Sequence, residues 1–305
     1  VKLEGIHHIT AITGDAQGNV DFYAGVLGLR LVKKTVNQDN PTVYHLFFAD
    51  ERGSAGSDLT FFEFPGVPEG RAGAGDVHRI VWRVGSAESL DFWATRLAAS
   101  GVESHRDGES LRFADPEGLE HELLVVSTGD EPLIADHPEV PAELALQGFH
   151  AVRAYAAAPK ASERLLETLE FERAGDGWEA RGAQRGGLYA YDEPPAEPSL
   201  QGAGSVHHVA WASTLDEHEE WRQRAIAGGA QPTPVIDRFY FRSIYFREPS
   251  GVLFEIATLG PGFTVDEPLE HLGEKLSLPP DYEHLRAEVE SQLRPVVNPR
   301  IARAG

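Results

Sequence analysis

Gly5-Ile6-His7-His8, Asp76-Val77-His78-Arg79, Gly148-Phe149-His150-Ala151 and Ser205-Val206-His207-His208 are four strand-like segments that carry a histidine at one shared register. Each is followed by a candidate amphipathic helix and then by alternating apolar segments. The chain therefore reads as one unit of strand, helix and about three strands, copied four times. Only the first and fourth copies add a second histidine, at His8 and His208.

The helices are placed by their apolar faces and end signals. In the first unit a helix from near Asp15 sets Val20, Tyr23, Val26 and Leu27 on one face and stops at Gly28. Ser86 caps the second helix, which aligns Leu90, Trp93, Ala94 and Leu97 before Gly101. Pro159 opens the third, bearing Leu165, Leu166 and Leu169, and a capping box from Thr214 to Glu217 opens the fourth, which buries Trp221, Ala225 and Ile226 and ends at Gly228. Strands are expected at Leu31 to Val36, Tyr44 to Phe48 and Leu59 to Phe64, between His105 and Val126, as far as Tyr191, and at Arg238 to Arg247 and Val252 to Thr258.

A chain of 305 residues with 41% apolar content can bury two ordinary cores. The expected organisation is α+β: residues 1–128 as one domain of two units, 146–260 as a second, and 261–305 as a tail with one helix. The Pro- and carboxylate-rich segment from Gly129 to Glu143 connects the halves. No apolar stretch approaches the ~20 residues of a membrane span, and no charged-then-apolar leader opens the chain, so a soluble cytoplasmic protein is expected. The absence of cysteine excludes disulfides, thiolate metal sites and a cysteine nucleophile. A net charge of -21 argues against a nucleic-acid partner, which would be met by Lys and Arg on phosphate. Self-association is left open, a homo-oligomer being one outcome.

Laying the four copies over one another isolates two positions. The residue after the shared histidine is His8, Arg79, Ala151 and His208, and strand alternation points all four to equivalent places on one face of a cupped sheet. In the last strand, four residues on from a glycine, stand Thr60 after Gly56, Glu122 after Gly118 and Glu255 after Gly251; the third copy offers Ala190 or Tyr191. If the first and fourth units meet, His8, His208 and Glu255 can hold a divalent ion. Two neutral imidazoles and one carboxylate leave it a net charge of about +1 with its opposite positions open, the facial arrangement of non-haem Fe(II) oxygenases. The complementary pairing of the second and third units would gather Arg79, Ala151 and Glu122, which cannot make such a site and should form an Arg79–Glu122 salt bridge.

The competing reading of adjacent histidines is a half-buried strand whose ring nitrogens bond neighbouring groups, and it is the one adopted for His78 and His150. His45 is core or pocket lining. His105, His121, His137, His218, His271 and His284 lie among polar residues and are expected on the surface. Lys33 and Lys34 face opposite sides, so one is solvated and the other could attract an anionic substrate. Phe239, Phe241 and Trp211 could line an aromatic pocket.

Ile6-His7-His8-Ile9-Thr10, Asn19-Val20-Asp21-Phe22-Tyr23, Leu27 to Asn37 and Tyr44-His45-Leu46, with Arg238, Tyr240-Phe241, Ser243 to Arg247, Gly251 to Glu255 and Gly262-Phe263-Thr264, resemble the vicinal-oxygen-chelate (glyoxalase-like) superfamily, specifically its hydroquinone-cleaving dioxygenases. The resemblance spans nearly the whole chain. It implies four βαβββ repeats in two glyoxalase-like domains. It also implies Fe(II), with Mn(II) as the alternative, on His8, His208 and Glu255, and insertion of both oxygens of O2 into a small aromatic ring beside a hydroxyl. His7, Thr10, His207, Arg238 and Tyr245 match the positions that move protons or stabilise oxyanion charge in that family. Strand alternation alone would turn His7 away from His8 and Arg238 away from Tyr245, so a bend or bulge is required at both places.

Other activities are weighed on the same fold. A glyoxalase-type isomerase would need a fourth ligand where the first unit has Thr60, and Glu63, three residues on, lies on the wrong face. A thiol transferase is usually built from fewer units. A metal-free drug-binding protein would not need His8, His208 and Glu255 together.

Overall fold

The computed structural model describes residues 2–302. The first unit comprises β1 (Ile6–Thr13), α1 (Ala16–Val20), β2 (Arg30–Asn37), β3 (Asn40–Ala49) and β4 (Asp58–Glu63). The second comprises β5 (Val77–Val84), α2 (Ala87–Ala99), β6 (Ser104–Asp107), β7 (Ser110–Ala114) and β8 (Glu120–Val125). The third runs β9 (Phe149–Tyr155), α3 (Glu163–Thr168), β10 (Glu172–Ala174), β11 (Gly177–Arg181) and β12 (Gly186–Asp192). The fourth runs β13 (Val206–Ser213), α4 (His218–Ala227), β14 (Ile236–Asp237), β15 (Phe241–Arg247) and β16 (Leu253–Pro261).

These strands form two eight-stranded sheets, and each draws one unit from each half of the chain. One has the order β14-β15-β16-β13-β1-β4-β3-β2, the other β10-β11-β12-β9-β5-β8-β7-β6. The first and fourth units therefore join through the antiparallel pair β1–β13, and the second and third through β5–β9. Burial explains why the shared histidine strands lie at the centre: every residue of β1 is buried, and Trp82 of β5 and Trp211 of β13 are wholly inaccessible. The α2 face bearing Leu90, Trp93 and Leu97 is buried as its spacing predicts.

The glycine that precedes the key position has a physical reason. Gly56, Gly118 and Gly251 have φ of +98°, +89° and +114°, a region side chains avoid, and each lies in the turn that launches the last strand of its unit. At Gly251 a Cβ would also meet Gly75 Cα at 3.0 Å.

Several local expectations need correction. The first helix continues as a π-helix over Asp21–Val26, turning both Phe22 and Tyr23 inward. The capping box from Thr214 to Glu217 does not form: a turn intervenes and α4 starts at His218 without a side-chain cap. Two short helices, α5 (Arg286–Gln292) and α6 (Pro299–Ala302), stand in the tail where one was expected. His121, His137 and His218 are buried, whereas His105, His271 and His284 are exposed. Acidic sequence neighbours misled for His121, because alternation sends it to the face opposite Glu120 and Glu122. There Trp82 Nε1–H donates to Nδ1 at 3.1 Å and Nε2 meets Tyr23 Oη at 2.9 Å. Burial lowers the pKa of this imidazole to about 3.

Candidate metal centre

The β1–β13 pair brings the two histidine dipeptides together. Thr10 stands opposite His208 and His8 opposite Ala210, while β16, parallel to β13, sets Glu255 beside Ala210. His8 Nε2 lies 3.2 Å from His208 Nε2, and Glu255 Oε2 lies 3.1 Å from the first and 2.9 Å from the second. All three side chains are buried, Glu255 completely. Among the described residues this is the sole group of three or more His, Asp or Glu side chains whose candidate ligand atoms converge.

The charge states suit a cation. Burial opposes ionisation of Glu255, but the His8 and His208 rings, when protonated, outweigh it and hold the carboxyl well below its ordinary range. Burial also lowers the pKa of His208 against the pull of Glu255, which favours the neutral imidazole. Neither carboxylate oxygen of Glu255 has a hydrogen-bond donor.

The tautomer of His8 follows from its neighbours. His7 is neutral, because burial and then His8 lower its pKa to about 3. Its Nε2 lies 3.1 Å from the Thr258 carbonyl, which can only accept, so Nε2 carries the proton and Nδ1 the lone pair. His7 Nδ1 lies 2.9 Å from His8 Nδ1, so His8 Nδ1–H donates and His8 Nε2 is left bare toward Glu255 and His208. His207 repeats the contact, 2.8 Å from His208 Nδ1. With both imidazoles neutral, the bare His8 Nε2 and the Glu255 carboxylate thus face each other and His208 Nε2 in a buried triangle. Such an arrangement is costly without a cation, and the donor set fits a divalent one.

The bends that the sequence reading requires are present. The β1–β13 register shifts between Ile6 and His8, letting consecutive histidines approach through their Nδ1 atoms. Phe239, a non-glycine residue with φ +72°, is the centre of a tight turn in which Tyr240 N–H donates to the Arg238 carbonyl at 2.9 Å. This turn carries the Arg238 guanidinium over the Tyr245 ring at 5.5 Å, and the Tyr245 ring lies 5.8 Å from that of His208.

The cavity in front of the triad is lined by Thr10, Thr35, Asn37, Gln38, Asp39, His45, Phe47, Phe62, Arg238, Tyr240, Phe241 and Tyr245. Phe241 packs on both His7 and His8, at 5.2 and 5.1 Å between ring centroids. Thr10 Oγ1 bonds Thr60 Oγ1 at 2.9 Å, and Thr60 is bonded in turn by His45. Burial, with Glu255 adding to it, raises the Tyr245 pKa, keeping its hydroxyl protonated. His7 and His207 stand behind His8 and His208 and do not line this cavity.

Other expectations fall differently. Arg238 is paired, with Asp39 at 3.2 and 3.1 Å, from the β2–β3 turn of the opposite unit. Lys33 is wholly buried, and Asp266 and Glu267 of the tail take its ammonium, so it attracts no substrate. Trp211 lies in the core against Phe171 and Phe254. In the second sheet Arg79 pairs with Glu122 at 3.4 Å and with Glu120 at 3.1 Å. His78 is held by Asp192 at 2.8 Å. The sequence reading missed Asp39, Thr60 as a bonded group, and the buried Lys33 pair. Thr60 alone left a trace, by standing where a carboxylate was sought.

The profile of the Glyoxalase/Bleomycin resistance protein/Dioxygenase superfamily matches residues 5–123 and again 148–256, and the chain belongs to this superfamily. MhqO of Bacillus subtilis (strain 168), provisionally named a ring-cleaving dioxygenase, is 41% identical over 304 residues that cover 96% of this chain and 97% of MhqO. The chlorohydroquinone/hydroquinone 1,2-dioxygenase of Sphingobium indicum (strain UT26S) is 33% identical over 317 residues, covering 94% of this chain and 95% of that protein. The crystal structure of a provisionally named dioxygenase from Bacillus subtilis matches with a TM-score of 0.90 at 40% identity, over 97% of this chain and 98% of the other. The family resemblance read from the residues holds, and with it the two glyoxalase-like domains. No described helix is long and apolar enough to cross a membrane.

Proposed function

We propose that this chain is a non-haem Fe(II) ring-cleaving dioxygenase, with His8, His208 and Glu255 as metal ligands and a hydroquinone-type aromatic and O2 as substrates. The observation that carries the proposal is the buried convergence of two imidazole nitrogens, that of His8 bare, with the Glu255 carboxylate. Relatives that cover nearly all of the chain and bear ring-cleaving names support the same reading. When bound, Fe(II) supplies the redox route between an aromatic diol and O2; Mn(II) could do the same from this donor set.

The chain's own groups have separable tasks. His7 and His207 orient the ligand imidazoles through their Nδ1 atoms. Phe47, Phe62 and Phe241 form apolar walls for a flat ring. Tyr245 Oη stays protonated and can give a proton, and Arg238 beside it offsets negative charge that develops on a substrate oxygen. Thr10 offers a hydroxyl to the same space.

Anaerobic loading with Fe(II), followed by oxygen-uptake measurements with hydroquinone, catechol and a methylglyoxal–thiol adduct, tests the reading. Uptake of about one O2 per hydroquinone consumed, with both atoms found in the ring-opened product by isotope labelling, is expected. Turnover of the thiol adduct without O2 would replace the proposal with an isomerase.

A further inference from the structure

Thr60 stands in the first unit where Glu255 stands in the fourth, four residues after a positive-φ glycine. In place of a ligand it has two hydrogen-bond partners. Its Oγ1 lies 2.9 Å from Thr10 Oγ1, its neighbour across the parallel pair β1–β4, and 2.8 Å from Nε2 of His45 on β3. Thr10 and His45 both line the cavity in front of the triad. Thr10 Oγ1 and His45 Nδ1 have no other hydrogen-bond partner among the described residues.

The Thr60 hydroxyl has one proton and so donates in one direction only, which gives the chain two states. In one, His45 Nε2–H donates to Thr60, Thr60 donates to Thr10, and the Thr10 O–H is free for the cavity while His45 Nδ1 carries a lone pair. In the other every bond is reversed: Thr10 accepts from the cavity, and His45 Nδ1 carries the proton. The two ends thus always present one donor and one acceptor to the same space. Burial holds the His45 pKa well below its ordinary value, so the ring stays neutral with one N–H and one lone pair.

We propose that His45, Thr60 and Thr10 form a proton shuttle, in which His45 Nδ1 takes the proton of a substrate hydroxyl and Thr10 Oγ1 delivers one to a reacting oxygen. The substrate O–H bond breaks at Nδ1. The protons on Nε2 and on Thr60 each move one position along the chain. The Thr10 O–H bond breaks as a new O–H bond forms on the acceptor. One proton enters, one leaves, no electron moves, and the chain ends in its reversed state, from which the opposite passage restores it. His45 and Thr10 touch the substrate; Thr60 is a positioning residue acting through both. The identity of the acceptor oxygen rests on the dioxygenase reading, whereas the uptake of a phenol proton does not.

The test is anaerobic stopped-flow mixing of the Fe(II)-loaded protein with 4-nitrophenol, whose anion is yellow, so that the rate of ionisation on binding is read without turnover. Thr60→Val should slow ionisation roughly tenfold or more, with unchanged metal content and unchanged Kd, and Thr60→Ser should restore it. His45→Gln should slow it likewise, and covers the case in which Thr60→Val is poorly folded. With hydroquinone and O2, Thr60→Val should lower kcat by about 10²-fold with little change in KM. Ionisation at the wild-type rate in Thr60→Val, or equal slowing in Thr60→Ser, would overturn the shuttle. Absence of O2 uptake by the wild type would overturn the dioxygenase reading instead, and the ionisation rates would still judge the shuttle.

Discussion

His7 Nδ1 stands 2.9 Å from His8 Nδ1, with the two rings at 85° to one another. The Thr258 carbonyl fixes the proton on the far side of His7, so this contact decides which nitrogen of His8 is bare. His7→Phe removes the acceptor and frees the His8 tautomer. Its metal affinity should fall roughly 10- to 100-fold, as for other groups that orient a ligand. His7→Asn, whose carbonyl oxygen can still accept from His8 Nδ1–H, should lose less. Competition titration with a chelator reads both, and equal affinity in wild type and His7→Phe would remove the orienting role.

His208→Ala and His150→Ala separate ligation from mere presence in a repeated strand. His208→Ala should abolish both metal retention after desalting and turnover, with the fold near intact by circular dichroism. His150→Ala should keep both, because His150 faces the other sheet's cavity with Arg83 and Arg181. Equal metal content in the two variants would count against the assignment.

Much of the triad was legible because repetition turns position into chemistry. Two register positions, read four times, singled out His8, His208 and Glu255 without any knowledge of how the halves meet. The groups around them were hidden for physical reasons. His7 reaches His8 only through a register shift, and Arg238 reaches Tyr245 only through a positive-φ turn at Phe239, a residue type that gives no signal of such a turn. Asp39 and Arg238 meet from units at opposite ends of the chain. His121 looked polar by its neighbours along the chain, while its true neighbours lie across the sheet and on α1's π-helical extension.

Asp130 ties the connecting segment to both halves. It takes Arg83 at 2.6 Å and Arg181 at 2.5 Å, and its side chain is only 6% exposed. Burial pushes its pKa up, but Arg181, Arg83 and the Gly186 N–H outweigh burial and bring it from 3.8 to about 2. A folded-state value below the unfolded one contributes stability that is present above pH ~4 and disappears as pH falls through ~2. Asp130→Asn should therefore cost about 2 kcal/mol at pH 7. The gap from wild type should close toward pH 2. Urea midpoints across that range read it, and a gap independent of pH would show that the carboxylate charge does not matter.

Lys33 carries the last prediction, which concerns the tail. Its ammonium is wholly buried on β2, takes Asp266 at 2.6 Å and Glu267 closer still, and lies 5.1 Å from the Tyr240 ring that lines the cavity. Removing one partner of a buried ion pair leaves the others uncompensated, so Lys33→Met should destabilise the protein by about 3–5 kcal/mol. Because Asp266 also accepts from Tyr240 Oη at 2.9 Å, the same change should loosen the cavity wall. Proteolysis should then cut between residues 262 and 280 before any other site. Adding Glu267→Gln to Lys33→Met removes the more buried of the two stranded carboxylates and should recover part of the loss. If the double variant is less stable than Lys33→Met alone, the carboxylates are not the source of the penalty and the tail is held by the apolar contacts of Phe263 and Leu272 instead.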